Sequence, residues 1–359
     1  MKHIYFLLLF FTTVCFAQLT PPNELQTYYS DVDFNKTGLN LFNDLAVTTA
    51  FKHTNFISYT PGVWEADKIT DEDPINSSNV LLIYGYNDTD GNHVTDRTRS
   101  KTLNGGNAGT NWNREHVFAN SLASPSLDNT GTNVPPYADA HNLRPSDVTM
   151  NSNRGNLKFV DGSGTAKNIS GSWYPGDEWK GDVARIIMYM YLRYGSQCFP
   201  SFVSVGTLNS TDSNMINLLL DWNAEDPVSS IEDNRNDYHE NTSNTYAQGN
   251  RNPFIDNPYL ATLIWGGTLA ENRWNTLSSN EFKDSDFKIY PNPVSENNLN
   301  IKTNQLLNVE FFNILGKSIL KTHVDSNHSK VNVGQLTKGM YILKLTSSKG
   351  SVTKKLVKQ

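Results

Sequence analysis

Residues 111–159 constrain this chain more than any other stretch. They concentrate two His, a Glu beside a His, three Arg and a run of Asn in fewer than fifty positions. Val117 and Phe118 form a short apolar run, so Glu115 and His116 are expected at a strand end. His141, Asn142 and Leu143 read as a second short strand, closed by Pro145. Beyond the proline a helix over 148–153 is expected, with Ser146 or Asp147 as N-cap and Asn151 one turn in. Strand, long loop, strand and helix make a hairpin followed by a helix. Such a unit can hold one divalent ion between Glu115 and Asn151.

At 359 residues there is room for two or three domains. The 37% hydrophobic and 11% aromatic fractions belong to a globular protein, not a disordered one. The first 17 residues read as a secretory signal: Lys2, an apolar run from Ile4 to Phe11, and Cys15-Phe16-Ala17 as a small-x-small cleavage site. Lipid attachment at Cys15 is the alternative, but Thr12-Thr13-Val14 is a poor lipobox. No other stretch approaches membrane-spanning length. Removal of the signal leaves Cys198 alone, without an internal disulfide partner, and its aromatic surroundings point to a buried thiol. Charge is split along the chain. Residues 283–359 carry twelve Lys against five acids, whereas 18–282 carry a net charge of −14. That excludes a broad basic surface for nucleic acid, though not a turnover enzyme with a local Arg cluster.

The expected order is mostly helical with a small sheet, an α+β domain over 18–267. An apolar stripe of Leu39, Leu41, Phe42, Leu45 and Ala46 makes 20–55 helical, and 80–84 reads as a buried strand. Residues 161–178 read as a long loop. Residues 181–195 give a helix with one apolar face, started by Asp182 and stopped by Gly195. Further helices are expected over 215–222 and 259–265. Residues 268–286 lack periodicity and read as a linker. From Phe287 onward, seven short strand-like runs predict a small all-β sandwich over 287–359.

The segments REHVF (114–118), DAHNLRPSD (139–147) and NSNRGNLKF (151–159) resemble the secreted and periplasmic bacterial endonuclease I family, within the His-Me finger (ββα-metal) nucleases. The likeness continues through GDVARIIMYMYLRYG (181–195), LLLDWNAEDPVS (218–229), EDNRN (232–236) and GNRNPFIDNPYLATLIWG (249–266). YPNP, LTKGMYILKL and the Lys-rich terminus resemble the C-terminal sorting domain of the type IX secretion system. A carbohydrate- or surface-binding sandwich is the alternative for that tail.

The resemblance implies a secreted, metal-dependent endonuclease acting on DNA, RNA or both without strong sequence specificity, leaving 5′-phosphate ends. It would act as a monomer, with the type IX machinery as the tail's partner. His116 is then the general base, since a neutral imidazole can take a proton from water. Glu115 and Asn151 supply hard oxygen ligands suited to Mg²⁺, or less selectively Ca²⁺ or Mn²⁺; Asn153 and Asn156 compete for the second place, and the resemblance favours Asn151, which aligns with the family's helix ligand. Arg144, Arg154 and Arg185 could clamp phosphates, with Arg144 and Arg154 on the catalytic side; the competing reading is capping or pairing with Asp139, Asp147 or Asp182. His141 and Asn142 are expected beside the substrate, His141 more as a hairpin support than as a second base. Family members often carry a transition-state Arg between the two motifs, yet residues 117–140 contain no Arg or Lys. Trp112, Trp173 and Tyr174 could stack on bases or fill the core. Arg235, Arg251 and Asn252 receive no role. A zinc hydrolase is disfavoured because HExxH and Cys/His clusters are absent from the sequence. The non-enzymatic alternative is a surface or matrix nucleic-acid-binding protein with a decayed nuclease module, against which the intact Glu115, His116 and Asn151 argue.

Overall fold

A computed structural model of the chain describes residues 19–128, 135–274, 287–313, 316–347 and 350–359. The expected signal segment and most of the expected linker lie outside them. The chain divides into two compact units, Pro21–Trp274 and a second holding the C-terminal strands. Residues 268–274, expected in the linker, thus belong to the first unit. Trp274 is buried against Tyr29 and Phe34, with ring centroids 5.2 and 5.1 Å away, and Arg273 holds both carboxylate oxygens of Asp233 at 2.8 Å. One aromatic and one ion pair anchor a stretch that has no hydrophobic period to reveal it.

In the first unit, α1 (Gly38–Lys52) buries Leu41, Phe42 and Leu45, while Leu39 of the expected stripe stays exposed. Helix α2 (Trp64–Thr70) follows. Strand β1 (Asn79–Leu81) pairs antiparallel with β2 (Thr98–Ser100). Buried chain continues through Leu82, Ile83 and Tyr84, but Tyr84 has φ +72°, so the ladder ends where the backbone leaves the extended region. The amide of Ile83 donates instead to Pro145 O at 2.8 Å. Strands β3 (Trp112–His116) and β4 (Leu143–Asp147) form the central hairpin, followed by α3 (Val148–Arg154).

Two strands, β5 (Lys167–Ile169) and β6 (Ser172–Tyr174), occupy what reads as loop. Ser170 and Gly171 join them with φ +50° and +83°, the mirror-image turn that closes a two-residue hairpin. Helix α4 (Lys180–Tyr194) is buried continuously from Gly181 to Leu192, not on one face only. Gly195, at φ +57°, terminates it. Helices α5 (Asn217–Glu225), α6 (Ser230–Glu240) and α7 (Tyr259–Trp265) complete the unit. Helix α6 escapes an apolar-period reading because its buried side is largely Glu232, Arg235, Asn236 and His239. Its start is marked by a reciprocal capping box between Ser229 and Glu232. Among the described residues the strands of this unit pair two by two, so the expected small sheet is three separate ribbons.

The second unit matches its expected pattern strand for strand: β7 (Phe287–Tyr290), β8 (Asn298–Thr303), β9 (Leu307–Asn313), β10 (Ser318–Val324), β11 (Lys330–Asn332), β12 (Gly339–Ser347) and β13 (Gly350–Lys358). They form a four-stranded sheet, β10-β9-β12-β13, and a three-stranded sheet, β11-β8-β7. Alternate residues such as Leu299, Ile301, Val309, Phe311, Leu343 and Leu345 point into one apolar core.

Candidate active site on the central hairpin

The register of the hairpin sets Glu115 opposite Arg144 and His116 opposite Leu143. Strand alternation sends Trp112, Arg114 and His116 to one face and Asn113 and Glu115 to the other. Of the two expected caps, Asp147 is the one used: its Oδ1 accepts from Thr149 N and Met150 N at 2.8 and 2.9 Å. Helix α3 therefore begins where the sequence places it, and it packs its Asn151 and Arg154 against the Glu115 face. The Nδ2 of Asn151 donates to Asn113 Oδ1 at 2.9 Å and to Arg114 O at 3.3 Å. With its nitrogen tied on one side, the amide turns Oδ1 away, and that oxygen makes no hydrogen bond among the described residues.

His141 and Asn142, expected in the second strand, lie instead on a 3₁₀ turn (Ala140–Asn142) before it. Asp139 Oδ1 accepts from His141 N at 2.9 Å and so caps that turn. Pro145 sits inside β4 opposite Arg114 and does not close it, contributing its carbonyl to Ile83. Asn142 is fully buried and pairs with the backbone of Phe118, accepting from its N at 2.7 Å and donating to its O at 3.2 Å. His141 is buried against Tyr189 and His239, with Nε2 donating to Asn250 O at 3.1 Å. Burial lowers its pKa to about 4. Both residues, expected beside the substrate, are supports of the loop that joins the strands.

Glu115 is 2% exposed. Its Oε1 accepts from Tyr84 OH at 3.0 Å and lies 3.2 Å from Arg154 Nη1, while Oε2 takes neither contact. Burial pushes its carboxyl up to about 7, against the opposing pull of Arg154 and Tyr84. This is a carboxylate short of positive charge. His116 is half-buried, its ring lying nearly parallel to Tyr59 at 5.7 Å and 4.7 Å from the ring of Tyr137. Its Nε2 is 2.8 Å from Tyr137 O. A carbonyl can only accept, so Nε2 carries the proton and Nδ1 keeps its lone pair. Burial, with the Arg114 and Arg154 charges adding to it, lowers the imidazole to about 4, so it is neutral throughout the ordinary pH range.

The three arginines expected to meet phosphate are sealed inside. Arg144 is fully buried between Asp71 (2.5 Å) and Asp182 (2.7 Å). Arg185 forks onto both oxygens of Glu232 at 2.5 and 2.9 Å and donates to Asp226 O. Arg154, 1% exposed, donates to the carbonyls of His116 and Val117 at 3.0 and 2.7 Å, bracing α3 against the end of β3. Arg235, to which sequence reasoning gave no role, ties Asp71 to Ala140 O and Leu143 O at the start of β4. Trp112, Trp173 and Tyr174 are all core, at 0%, 3% and 0% exposed. The aromatic rings that do flank His116 are Tyr59 and Tyr137, and the cation that shares its face is Arg114. The period-two alternation of β3 carries the signal for Arg114, two residues before His116.

No group of three or more His, Cys, Asp or Glu among the described residues is arranged to hold a metal ion. Glu115 Oε2 and Asn151 Oδ1 are the oxygens of this pair that make no hydrogen bond among the described residues.

Comparison with known proteins agrees with this architecture. Residues 288–359 match the family described as Secretion system C-terminal sorting domain, and that address makes the protein a secreted one. Residues 37–259 match the family described as Endonuclease I. An extracellular ribonuclease of Bacillus amyloliquefaciens is 40% identical over 259 residues, covering 69% of this chain and 81% of that protein. An extracellular ribonuclease of Bacillus subtilis (strain 168) is also 40% identical over 259 residues, covering 69% of this chain and 82% of its own length. Because the family match runs through the hairpin, its following helix and the buried arginines behind them, the chain belongs to the endonuclease I family and is a nucleic-acid phosphodiester hydrolase.

Proposed function

We propose that the protein is a metal-dependent endonuclease that cleaves DNA, RNA or both with weak sequence preference, on a His-Me finger formed by β3, β4 and α3. The observation that carries this reading is the fixed tautomer of His116: Nε2–H is held by Tyr137 O, which leaves Nδ1 as a proton acceptor at the half-exposed end of β3. A water attacking phosphorus gives its proton to Nδ1 as the new P–O bond forms. The P–O3′ bond breaks, the leaving 3′ oxygen takes a proton from solvent water, and the products carry a 5′-phosphate and a 3′-hydroxyl. Base assistance of this kind contributes about 10²–10⁴ in rate. Tyr59 and Tyr137 hold the imidazole ring in place, and its low pKa keeps it unprotonated without a carboxylate partner.

The donor set fits a hard divalent cation, Mg²⁺ first and Ca²⁺ or Mn²⁺ less selectively. Glu115 Oε2 and Asn151 Oδ1 would hold it, and the charge deficit around Glu115 favours its arrival. When bound, such a cation stabilises the charge that builds on the phosphoryl oxygens and the leaving oxygen. Arg154 keeps Glu115 aligned, and Asn113 keeps Asn151 aligned. RNA belongs in the substrate class because the relatives named above are ribonucleases. Weak sequence preference is in keeping with the helices of the described residues, none of which stands free to read base edges.

The test is a side-by-side digestion of plasmid DNA and a defined RNA by the purified protein across a metal panel. Cleavage with Mg²⁺, arrest by EDTA and 5′-phosphorylated ends are expected. Cleavage that continues undiminished in excess EDTA would reject the metal.

A further inference from the structure

We infer that Arg114 is the cation that meets the scissile phosphate, filling the role left open by a connecting loop without arginine. The inference rests on the nuclease reading and deepens it. Arg114 and His116 occupy the same face of β3, which sets their Cα atoms ~7 Å apart. Tyr59 bridges them, lying under the guanidinium on one side and beside the imidazole.

The guanidinium is held ready for a ligand. Its Cζ lies 3.5 Å from the ring centroid of Tyr59 and 4.0 Å from that of Trp64, a sandwich that fixes its plane. Nη1 donates to Tyr59 O and, at 3.0 Å, to Thr60 Oγ1. Nη2 makes no hydrogen bond among the described residues, and the buried Nε has none either. No carboxylate lies within ion-pair distance of Arg114 among the described residues. That is unusual in a unit with a large excess of acids, where Arg97, Arg99, Arg144, Arg154, Arg185, Arg235, Arg251 and Arg273 all have one. The main chain of Arg114 also receives Asn151 Nδ2, so the residue links the base side of the strand to the ligand on α3.

A half-buried guanidinium with one edge anchored and one edge open donates charge-assisted hydrogen bonds to non-bridging phosphate oxygens. Those bonds strengthen as negative charge builds on the oxygens, which accelerates the step. The residue binds and stabilises; it neither forms a covalent bond nor transfers a proton.

The test uses full-length protein and a single-stranded DNA oligonucleotide. Cleavage is measured for R114Q and R114K, and binding is measured against salt in an H116A background. R114Q is expected to lower kcat/KM by about 10²–10³-fold. The slope of log Kd against log salt should fall by about 0.7, the signature of one lost phosphate contact. R114K is expected to restore the salt slope but to keep kcat at least about tenfold low, since an ammonium is neither flat nor forked. If R114Q does not fold, the R114K split between kcat and slope decides alone. Wild-type kcat in R114K, or an unchanged slope in folded R114Q, would overturn the inference. Cleavage by H116A at the wild-type rate would instead overturn the nuclease reading on which it rests.

Discussion

The two sides of the central hairpin use the same residue types for opposite ends. In front, Arg114 and His116 lean on Tyr59, Trp64 and Tyr137, half-buried and without carboxylate partners among the described residues. Behind, Arg144, Arg154, Arg185 and Arg235 are sealed among Asp71, Asp182, Glu115, Glu232 and main-chain carbonyls. A guanidinium buried among several partners has no donor that a substrate can reach, and moving it would strand its acids in a medium of low dielectric. A stacked guanidinium with an open edge keeps a donor in reserve. What separates an arginine of the site from an arginine of the fold is therefore its partner set, which residue type does not reveal.

This contrast can be broken in three ways, the largest effect first. His116→Ala is expected to lower cleavage by about 10²–10⁴-fold while the melting temperature stays near wild type. A matching loss of folding would move His116 to the structural side. Arg144→Ala is expected to lose about 3–5 kcal/mol of stability in urea titrations, because Asp182 loses its ion-pair partner in the interior and Asp71 keeps only Arg235. Its folded fraction should still cleave. A stable R144A without activity would place that arginine in front after all.

The smallest effect concerns acid. His141 titrates near 4 in the fold, below the ~6.5 of an unfolded imidazole. Between those values the unfolded chain binds the proton and the folded chain does not. The contribution of neutral His141 is therefore complete above about pH 6.5 and is lost as pH falls toward 4, at about 1.4 kcal/mol per pH unit. The stability difference between wild type and His141→Gln should narrow by up to about 3 kcal/mol over that span. A difference that stays constant with pH would mean that His141 is not kept neutral by burial.

Legibility varied with the range of the force involved. The sandwich pattern after Phe287 reads directly, because each strand needs only alternate apolar residues and a turn. Helix α7 ends at Gly266 and α4 at Gly195 for equally local reasons, a positive φ that glycine adopts without strain. The hairpin β5–β6 carries its Ser-Gly turn in plain sight, yet three-residue strands are too short to show a period. Helix α6 could be found only from its capping box, since its buried side is ionic.

Read alone, the sequence determined the domain order, the secretion address, the strand-loop-strand-helix unit around Glu115, His116 and Asn151, and the family. All of these depend on neighbours a few positions apart, where backbone geometry translates spacing into a face or a cap. Only the tertiary structure decided which arginine faces outward, that Asn142 fastens Phe118, and that Tyr137 fixes the tautomer of His116. Arg144 finds its acids 73 and 38 residues away. Burial and pairing over such separations arise from packing as a whole, and no short window of sequence contains them.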